Sequence, residues 1–162
     1  MIAKLNFKIL FVTVAVIFFY ACSIEAPNSL RIAEGFENPI GLYDHAPAFS
    51  WKLPVLENVK SQSGYRIVVA SNPELLPNKA DLWDSGNIES GQSVWLKYNG
   101  SPLQTRQKAY WQVMFNDQDG NSSAWSVISN FELGLLNNTD WQAKWIGLPA
   151  EAKIDTSAEG HL

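Results

Sequence analysis

The chain has 162 residues, with 12 Lys and Arg against 16 Asp and Glu, one Cys and two His. This length suits one domain with a short extension, because single domains usually run to about 100–200 residues. The net charge of −4 argues against a nucleic-acid binder, which would cluster Lys and Arg on one surface. One Cys excludes a disulfide framework and a four-ligand zinc cage, and two His leave little for metal or acid–base chemistry. The composition therefore disfavours a self-contained enzyme and indicates no cofactor.

The N-terminal segment, residues 1–21, has the pattern of a helical export signal. Lys4 and Lys8 precede a run of apolar residues from position 9 to Cys22 that contains a single polar side chain, Thr13. A helix that spans a membrane needs about 20 apolar residues, so this run is short for a permanent anchor. A basic start followed by an apolar centre is typical of a secretory signal, and it predicts that the chain is exported.

The end of the apolar run, Ala21-Cys22, resembles the cleavage site of bacterial lipoproteins. The resemblance implies lipidation of Cys22, which would become the mature N-terminus and attach the protein to a membrane. The segment departs from the lipoprotein pattern at Phe19 and Tyr20, where that pattern prefers Leu and a small residue. An ordinary signal peptide or an uncleaved anchor is the alternative. The expected location is therefore a membrane-anchored lipoprotein, or the periplasm or cell surface of a bacterium.

The body of the chain consists of short segments in which apolar and polar residues alternate. After a linker at residues 22–28, seven such segments follow one another with turn residues between them, and none shows a sustained helical period. In chain order they lie at 30–32, 49–53, 65–70, 81–86, 94–98, 110–115 and 125–132. Seven short strands over about 100 residues predict an all-β, antiparallel sandwich of the immunoglobulin or fibronectin type III kind.

Aromatic residues on the inward faces of these strands are the predicted core. Trp51, Tyr65, Trp111 and Phe131 would bury enough apolar area to stabilise the sandwich without a disulfide. Tyr110 resembles the tyrosine of fibronectin type III domains that hydrogen-bonds back to the preceding corner.

The last predicted strand follows a tight turn. Asp119-Gly120 is typical of a hairpin, because Gly readily adopts the positive φ that such turns require. In the strand after it, Trp125, Val127 and Phe131 are expected to share one face.

Two pairs of acidic residues, Asp81 with Asp84 and Asp117 with Asp119, are the candidates for acid–base chemistry. Glycoside hydrolysis needs two carboxylates about 5–10 Å apart, one of them with a raised pKa. Both pairs lie in turn-like segments, where Asp is common because it bonds its own backbone. We therefore interpret all four as turn residues and assign neither a catalytic residue nor a metal ligand.

The seven Trp residues raise the question of carbohydrate binding. An exposed indole can stack on the apolar face of a pyranose ring. Trp83 and Trp95 lie on edge-like strands and are the candidate carbohydrate-stacking residues. The alternative is that both pack within the domain or against another domain.

Eight short motifs occur in order along the chain. They are ENPIG at 37–41, FSW at 49–51, YRIVVAS at 65–71, DLWDSG at 81–86, YWQV at 110–113, a Gly120 to Ser126 segment, FELG at 131–134 and DWQAKWIG at 140–147. Their order and spacing resemble the N-terminal region of bacterial alpha-L-rhamnosidases, from about residue 30 to residue 149.

This resemblance implies both a domain layout and a function. Residues 29–135 would form a fibronectin type III-like domain, and residues 136–162 a linker and the start of a second β-sandwich that is truncated here. Trp141 and Trp145 would pack within that second domain. In the family, the catalytic acids lie further downstream in a helical barrel, so no catalytic residue is carried onto this chain.

The expected function is a non-catalytic module that braces or spaces the rest of an exported alpha-L-rhamnosidase-like glycoside hydrolase. The missing domains of that parent hydrolase would be its main partner. The alternative is a stand-alone surface lipoprotein that binds a rhamnose-containing polysaccharide. Neither reading involves nucleic acid.

Overall fold

The computed structural model describes residues 24–144 and residue 146, so the predicted export signal and Cys22 lie outside the described residues. The described chain has two short 3-10 turns, Pro73–Leu75 and Asn138–Asp140, and none of its helices is long and apolar enough to cross a membrane. Its nine strands are β1 (Asn28–Ile32), β2 (Ile40–Leu42), β3 (Ala48–Lys52), β4 (Gln62–Ala70), β5 (Trp83–Asp84), β6 (Ile88–Glu89), β7 (Leu96–Lys97), β8 (Lys108–Asp117) and β9 (Ser129–Leu133).

The strands form two sheets, which confirms the predicted all-β sandwich. One sheet has the order β1-β3-β7, and the other has the order β2-β9-β8-β4-β5 with β6 also paired to β4. The named strands pair antiparallel except β2 and β9, which run parallel. The sequence predicted seven strands and missed β2 and β6. These have three and two residues, which is too short to show an alternating pattern.

Strands β4 and β8 form the centre of the larger sheet and pair along most of their length. The four residues at positions 67–70 of β4 are all fully buried. A strand covered on both faces has a continuous apolar run instead of a clean alternation, which is the pattern that predicted a central strand here.

An aromatic layer between the two sheets forms the core. The ring of Phe49 lies 4.7 Å from that of Trp111 and 6.1 Å from that of Phe131, measured between centroids. The predicted core residues Trp51, Trp111 and Phe131 are buried, whereas Tyr65 is half-buried and packs edge-on against Trp51 at 5.4 Å. Since a buried aromatic side chain removes about 150–250 Å² from water, this layer is the main source of stability.

The prediction for the last strand is wrong at its start. Val127 is 75% exposed, and β9 begins only at Ser129. Ser126 is buried instead, and its hydroxyl accepts a hydrogen bond from the Val113 N–H at 3.1 Å. The Ser126 hydroxyl takes the place of a backbone acceptor here. Two exposed residues, Val127 and Ile128, then separate the buried Ser126 from the buried Ser129, so the alternation of buried and exposed residues is interrupted before β9.

The corner tyrosine is also a different residue from the predicted one. Tyr110 is half-buried beside Lys108, whose Nζ lies 5.5 Å from the ring centroid. The tyrosine that fastens a loop is Tyr98, whose hydroxyl lies 2.7 Å from the carbonyl oxygen of Ser101 and 3.2 Å from that of Leu82.

Candidate functional site

A surface cavity of about 730 Å³ lies between β5 of the larger sheet and β7 of the smaller one. Trp83 and Trp95 both line it, together with the half-buried Tyr65. Its polar lining consists of Asp84, Ser85, Gln92, Lys97 and Asn99. The structure thus brings together the two indoles that the sequence singled out separately.

Trp95 is the exposed aromatic residue of this cavity. Its side chain is 58% exposed, and its backbone has a φ of +59°. A residue with a Cβ adopts this left-handed conformation only when its surroundings hold it there. Here the Trp95 N–H donates a hydrogen bond to the Ser50 hydroxyl at 3.0 Å, which fixes the backbone directly before β7.

A buried glutamine holds the loop that carries one wall of the cavity. The side-chain amide of Gln62 donates to the carbonyl oxygens of Ser90 at 2.9 Å and Gln92 at 2.8 Å, while its oxygen accepts from the Trp51 indole at 3.1 Å. The backbone N–H of Trp51 also donates to the Ser93 carbonyl at 2.9 Å. This satisfied polar network fixes the loop onto the core before any ligand arrives.

Trp83 has a different role, because part of it belongs to the core. Its ring packs 6.0 Å from Phe49 and 5.4 Å from Tyr98, so Trp83 supports the cavity from below. The loop that follows β7 approaches β5 so closely that only glycine fits at position 100. A Cβ on Gly100 would lie 2.4 Å from the Leu82 carbonyl oxygen.

The charged residues of the cavity are already paired. Arg66 donates two hydrogen bonds to the Asp84 carboxylate, at 2.9 and 2.6 Å, and this pairing lowers the pKa of Asp84. Lys97 donates to Asp44 at 3.1 Å. The charges of the cavity are therefore balanced within the protein, and its uncharged lining consists mainly of amides and aromatic rings.

Two of the four acidic residues that were considered as catalytic pairs, Asp81 and Asp117, bind the backbone of neighbouring loops. Asp81 accepts hydrogen bonds from the Ser71 N–H at 2.8 Å and the Ser71 hydroxyl at 2.6 Å. Asp117 accepts from the Asn121 N–H at 2.8 Å, and Gly120 has a φ of +83°, which confirms the predicted Asp-Gly hairpin. No group of three His, Cys, Asp or Glu in the described part of the chain is placed to hold a metal ion.

A second region of interest lies where the chain leaves β9. The Asp140 carboxylate accepts hydrogen bonds from the Thr105 hydroxyl and from the Asn137 N–H, the latter at 3.0 Å. The Leu136 N–H donates in turn to the Thr105 hydroxyl at 3.3 Å. The Thr105 and Asn137 hydrogen bonds lower the pKa of Asp140.

We call the four residues Thr105, Leu136, Asn137 and Asp140 the exit clasp. Sequence reasoning missed it, although Asp140 opens one of the motifs.

An exposed apolar surface lies beside the exit clasp. Ile40 is 82% exposed and Tyr43 is 80% exposed, and both line a shallow cavity of about 650 Å³ with Phe36. We call these three residues the edge patch, because β2 is the outer strand of its sheet. The Leu42 carbonyl accepts the Gly134 N–H at 2.6 Å, which places the patch next to the exit of the chain.

Comparison with known proteins identifies the fold family. The sequence model described as "Rha78A-like, N-terminal immunoglobulin domain" matches residues 27–137. The chain belongs to this family. It is 59% identical over 128 residues to an alpha-L-rhamnosidase of Formosa agariphila, which covers 79% of this chain and 14% of that protein. It is 43% identical over 145 residues to an alpha-L-rhamnosidase of an Alteromonas species, covering 85% of this chain and 16% of that protein.

Solved structures show the same relationship. The structure of an alpha-L-rhamnosidase from Dictyoglumus thermophilum matches this immunoglobulin domain with a TM-score of 0.72 and 37% identity, over 76% of this chain and 14% of that one. The Streptomyces avermitilis alpha-L-rhamnosidase complexed with L-rhamnose matches with a TM-score of 0.69 and 38% identity, over 75% and 12%. The chain thus spans about a seventh of the length of these relatives.

The limits of the family match give the exit clasp a place in the domain. The immunoglobulin domain match ends at Asn137, and Asp140 lies three residues beyond it. The clasp therefore ties the segment that follows the immunoglobulin domain back onto the loop at Thr105.

Proposed function

We propose that this chain is the non-catalytic N-terminal module of an exported alpha-L-rhamnosidase-like glycoside hydrolase. In the whole enzyme it braces the catalytic part. Its relatives bear the name alpha-L-rhamnosidase, and the chain spans only 14% and 16% of the length of two of them. Three of the four acidic residues considered as catalytic pairs are engaged in the fold, Asp81 and Asp117 with loop backbone and Asp84 with Arg66, which supports a role without catalysis.

The observation that carries this proposal is the exit clasp. Domains joined by a free linker move independently, whereas a brace requires that the connection have a fixed direction. The clasp fixes it by hydrogen bonds, since Asp140 is bound to Thr105 and to the N–H and side chain of Asn137, at 3.0 and 3.2 Å for the latter two.

The edge patch supports the same role. Exposed apolar surface that clusters on one side of a domain marks an interface, because covering it is favourable by about 25 cal/mol per Å². The proposed occupant is the following part of the same polypeptide, since the chain leaves the sandwich beside Leu42 and the patch.

Export belongs to the proposal as well. Residues 1–21 would direct secretion, and acylation of Cys22 would retain the module at the membrane. Mass spectrometry of the mature N-terminus tests this directly: a diacylated Cys22 supports the lipoprotein, and an unmodified terminus contradicts it.

The bracing role can be tested by domain replacement. In the Formosa agariphila relative, the segment matching this chain is deleted or replaced by residues 27–146 of this chain. Deletion is expected to lower the melting temperature and the thermal half-life of hydrolase activity, and the replacement is expected to restore both. A deletion with no effect on either, or a replacement that fails to restore them, contradicts the brace.

Catalysis is tested on this chain alone. Incubation with 4-nitrophenyl α-L-rhamnopyranoside is expected to release no nitrophenol above the rate without protein, with the intact relative as the positive control. Turnover that co-purifies with this chain would show that it is itself a hydrolase.

The stand-alone glycan-binding lipoprotein is the second candidate. The cavity that contains Trp83 and Trp95 favours it, since a binding site would give the chain an activity of its own. A restored hydrolase in the replacement experiment favours the module, whereas sugar binding without restoration favours the stand-alone binder.

A further inference from the structure

The cavity between β5 and β7 combines aromatic surface, exposed side-chain amides and a rigid wall, and nothing in the proposed bracing role uses it. We infer that it binds a neutral pyranoside. Trp95 provides the stacking surface, and the amides of Gln92 and Asn99 bind the sugar hydroxyls.

The aromatic lining supplies the apolar part of the site. Tyr65, Trp83 and Trp95 all line one cavity of about 730 Å³, within the range of about 300–1,000 Å³ typical of ligand pockets. The C–H face of a pyranose is apolar and flat, so it pairs with an exposed indole. Trp95 offers such an indole, because 58% of its surface is accessible.

The polar lining supplies the groups that recognise hydroxyls. The Gln92 side chain uses its nitrogen to donate to the Val94 carbonyl at 2.8 Å, which orients its oxygen as a free acceptor. Asn99 is exposed at the rim of the cavity. An amide both donates and accepts, as a sugar hydroxyl does, so these side chains match a polyol.

The charge of the cavity limits the class of sugar. Asp84 is paired with Arg66 and Lys97 with Asp44, so each of these charges already has a partner of opposite sign, and a charged sugar would have to compete for it. A uronate or an amino sugar would need such a partner, whereas a neutral pyranose would not. The choice of a rhamnose-containing polysaccharide as the probe rests on the proposed function.

The wall of the cavity is fixed before binding. Gln62 and Trp51 hold residues 90–93, and the hydrogen bond to Ser50 holds Trp95 in its left-handed conformation. A rigid site loses less conformational freedom on binding, and this lowers the cost of recognising a small ligand. The unfavourable backbone at Trp95 is the kind of strain that persists where surrounding contacts over-determine it.

The surface that best suits a protein partner lies elsewhere on the domain. The edge patch is apolar and lies beside the exit of the chain, as expected for a contact with a following domain. The Trp95 cavity mixes aromatic rings with amides and belongs to the opposite outer strands, β5 and β7. These observations favour a sugar over a protein as the ligand of the Trp95 cavity.

Affinity electrophoresis of the full chain tests the inference. Native gels contain a soluble rhamnogalacturonan, dextran or no polysaccharide. The unaltered chain is expected to be retarded by rhamnogalacturonan, and Trp95→Ala is expected to weaken this retardation about ten-fold or more, because an aromatic anchor dominates a small site.

Trp141→Ala is the matched control. Trp141 is 60% exposed but lines a different cavity, and the variant is expected to be retarded like the unaltered chain. Thermal unfolding of both variants checks that they fold.

The outcomes separate this inference from the bracing role. No retardation in either polysaccharide overturns the sugar site and leaves the domain-replacement result untouched. Retardation that survives Trp95→Ala also overturns it, because binding then lies elsewhere. Retardation by dextran that Trp95→Ala removes supports a pyranoside site and overturns the choice of rhamnose. If Trp95→Ala instead lowers the melting temperature of the replaced hydrolase, Trp95 contacts the enzyme and the inference fails.

Discussion

The two open edges of the sandwich differ in their surface chemistry. At the β1–β2 edge, Ile40 and Tyr43 expose apolar side chains beside the point where the chain leaves the domain. At the β5–β7 edge, Trp95 stands in a cavity whose other groups are amides, hydroxyls and paired charges. An apolar surface is suited to permanent contact with protein, and a mixed cavity to a small polar ligand. The comparison shows that one small sandwich presents two chemically different surfaces at its two edges.

The largest expected effect comes from the residue that supports both edges. Phe49 packs against Trp83 and Tyr98 towards the cavity and against Phe131 on the other side. Phe49→Ala is expected to lower the free energy of unfolding by about 3–5 kcal/mol, since it leaves a large cavity in the core. Urea unfolding measures this. A loss below about 1 kcal/mol would contradict the role of Phe49 as the shared support of the two edges.

A smaller effect is expected from the hydroxyl that fastens the β5–β7 edge. Tyr98→Phe removes the hydroxyl donor of the Ser101 carbonyl, whereas the Leu82 carbonyl keeps its hydrogen bond from the Ser101 N–H at 2.9 Å. The loss is expected to cost about 1–2 kcal/mol. Burial, with a contribution from the charge of Asp81, raises the pKa of Tyr98 from 10.0 to about 12.

The pH dependence gives this variant a second readout. The folded state holds the Tyr98 proton more tightly than the unfolded state, so its contribution is complete below pH 10 and is lost as the pH rises towards about 12. Urea unfolding at a series of pH values is expected to show a steeper alkaline decline in the unaltered chain than in Tyr98→Phe. Parallel declines would contradict the assignment.

At the exit of the chain, the expected effect is local. Asp140→Ala removes the acceptor of the exit clasp, so amide hydrogen exchange at Leu136 and Asn137 is expected to accelerate while exchange in β4 and β8 stays unchanged. Thr105→Val is the matched variant, and combining the two is expected to add little, because both break the same contact. Additive effects would show that Thr105 and Asp140 act separately.

The same clasp is expected to respond to acid. Its hydrogen bonds hold the pKa of Asp140 below 3.8, so the stabilisation is complete above that value and is lost as the pH falls through the lower, folded-state pKa. The protection factor at Asn137, which is the exchange rate corrected for the intrinsic pH dependence of a free amide, is therefore expected to fall in this acidic range in the unaltered chain only. The same dependence in Asp140→Ala would assign it to another group.

The smallest effect in the chain alone is expected at the edge patch. Ile40→Ser with Tyr43→Ser is expected to change the free energy of unfolding by less than about 0.5 kcal/mol, because both side chains face solvent. Urea unfolding checks this. A larger loss would mean that the patch stabilises the sandwich itself and is not reserved for a contact.

The sequence predicted the parts of the fold that depend on local pattern. The apolar run of β4, the alternation in β8 and the Asp-Gly turn are local, and the structure confirms them. Strand β2 has three residues and pairs in parallel with β9, about ninety positions later, so no local pattern indicates it. The contact of Thr105 with Asp140 likewise joins residues 35 apart.

The candidate site also has features that the sequence predicts and features that it does not. Its residue types were visible in the sequence, where Trp83 and Trp95 stood out as aromatic residues on edge-like strands. Their shared cavity was not, because it depends on how the two sheets meet. The support from Gln62 was not visible either, since a single Gln in an apolar strand gives no sign of its partners at Ser90 and Gln92.

The contrast between the two edges is tested most directly by the melting temperature of the Formosa agariphila hydrolase that carries residues 27–146 of this chain. One variant changes Ile40 and Tyr43 to Ser, and the other is Trp95→Ala. We expect the first to lower the melting temperature towards that of the deletion and the second to leave it unchanged. A melting temperature that falls with Trp95→Ala and is indifferent to the change at Ile40 and Tyr43 would contradict this account.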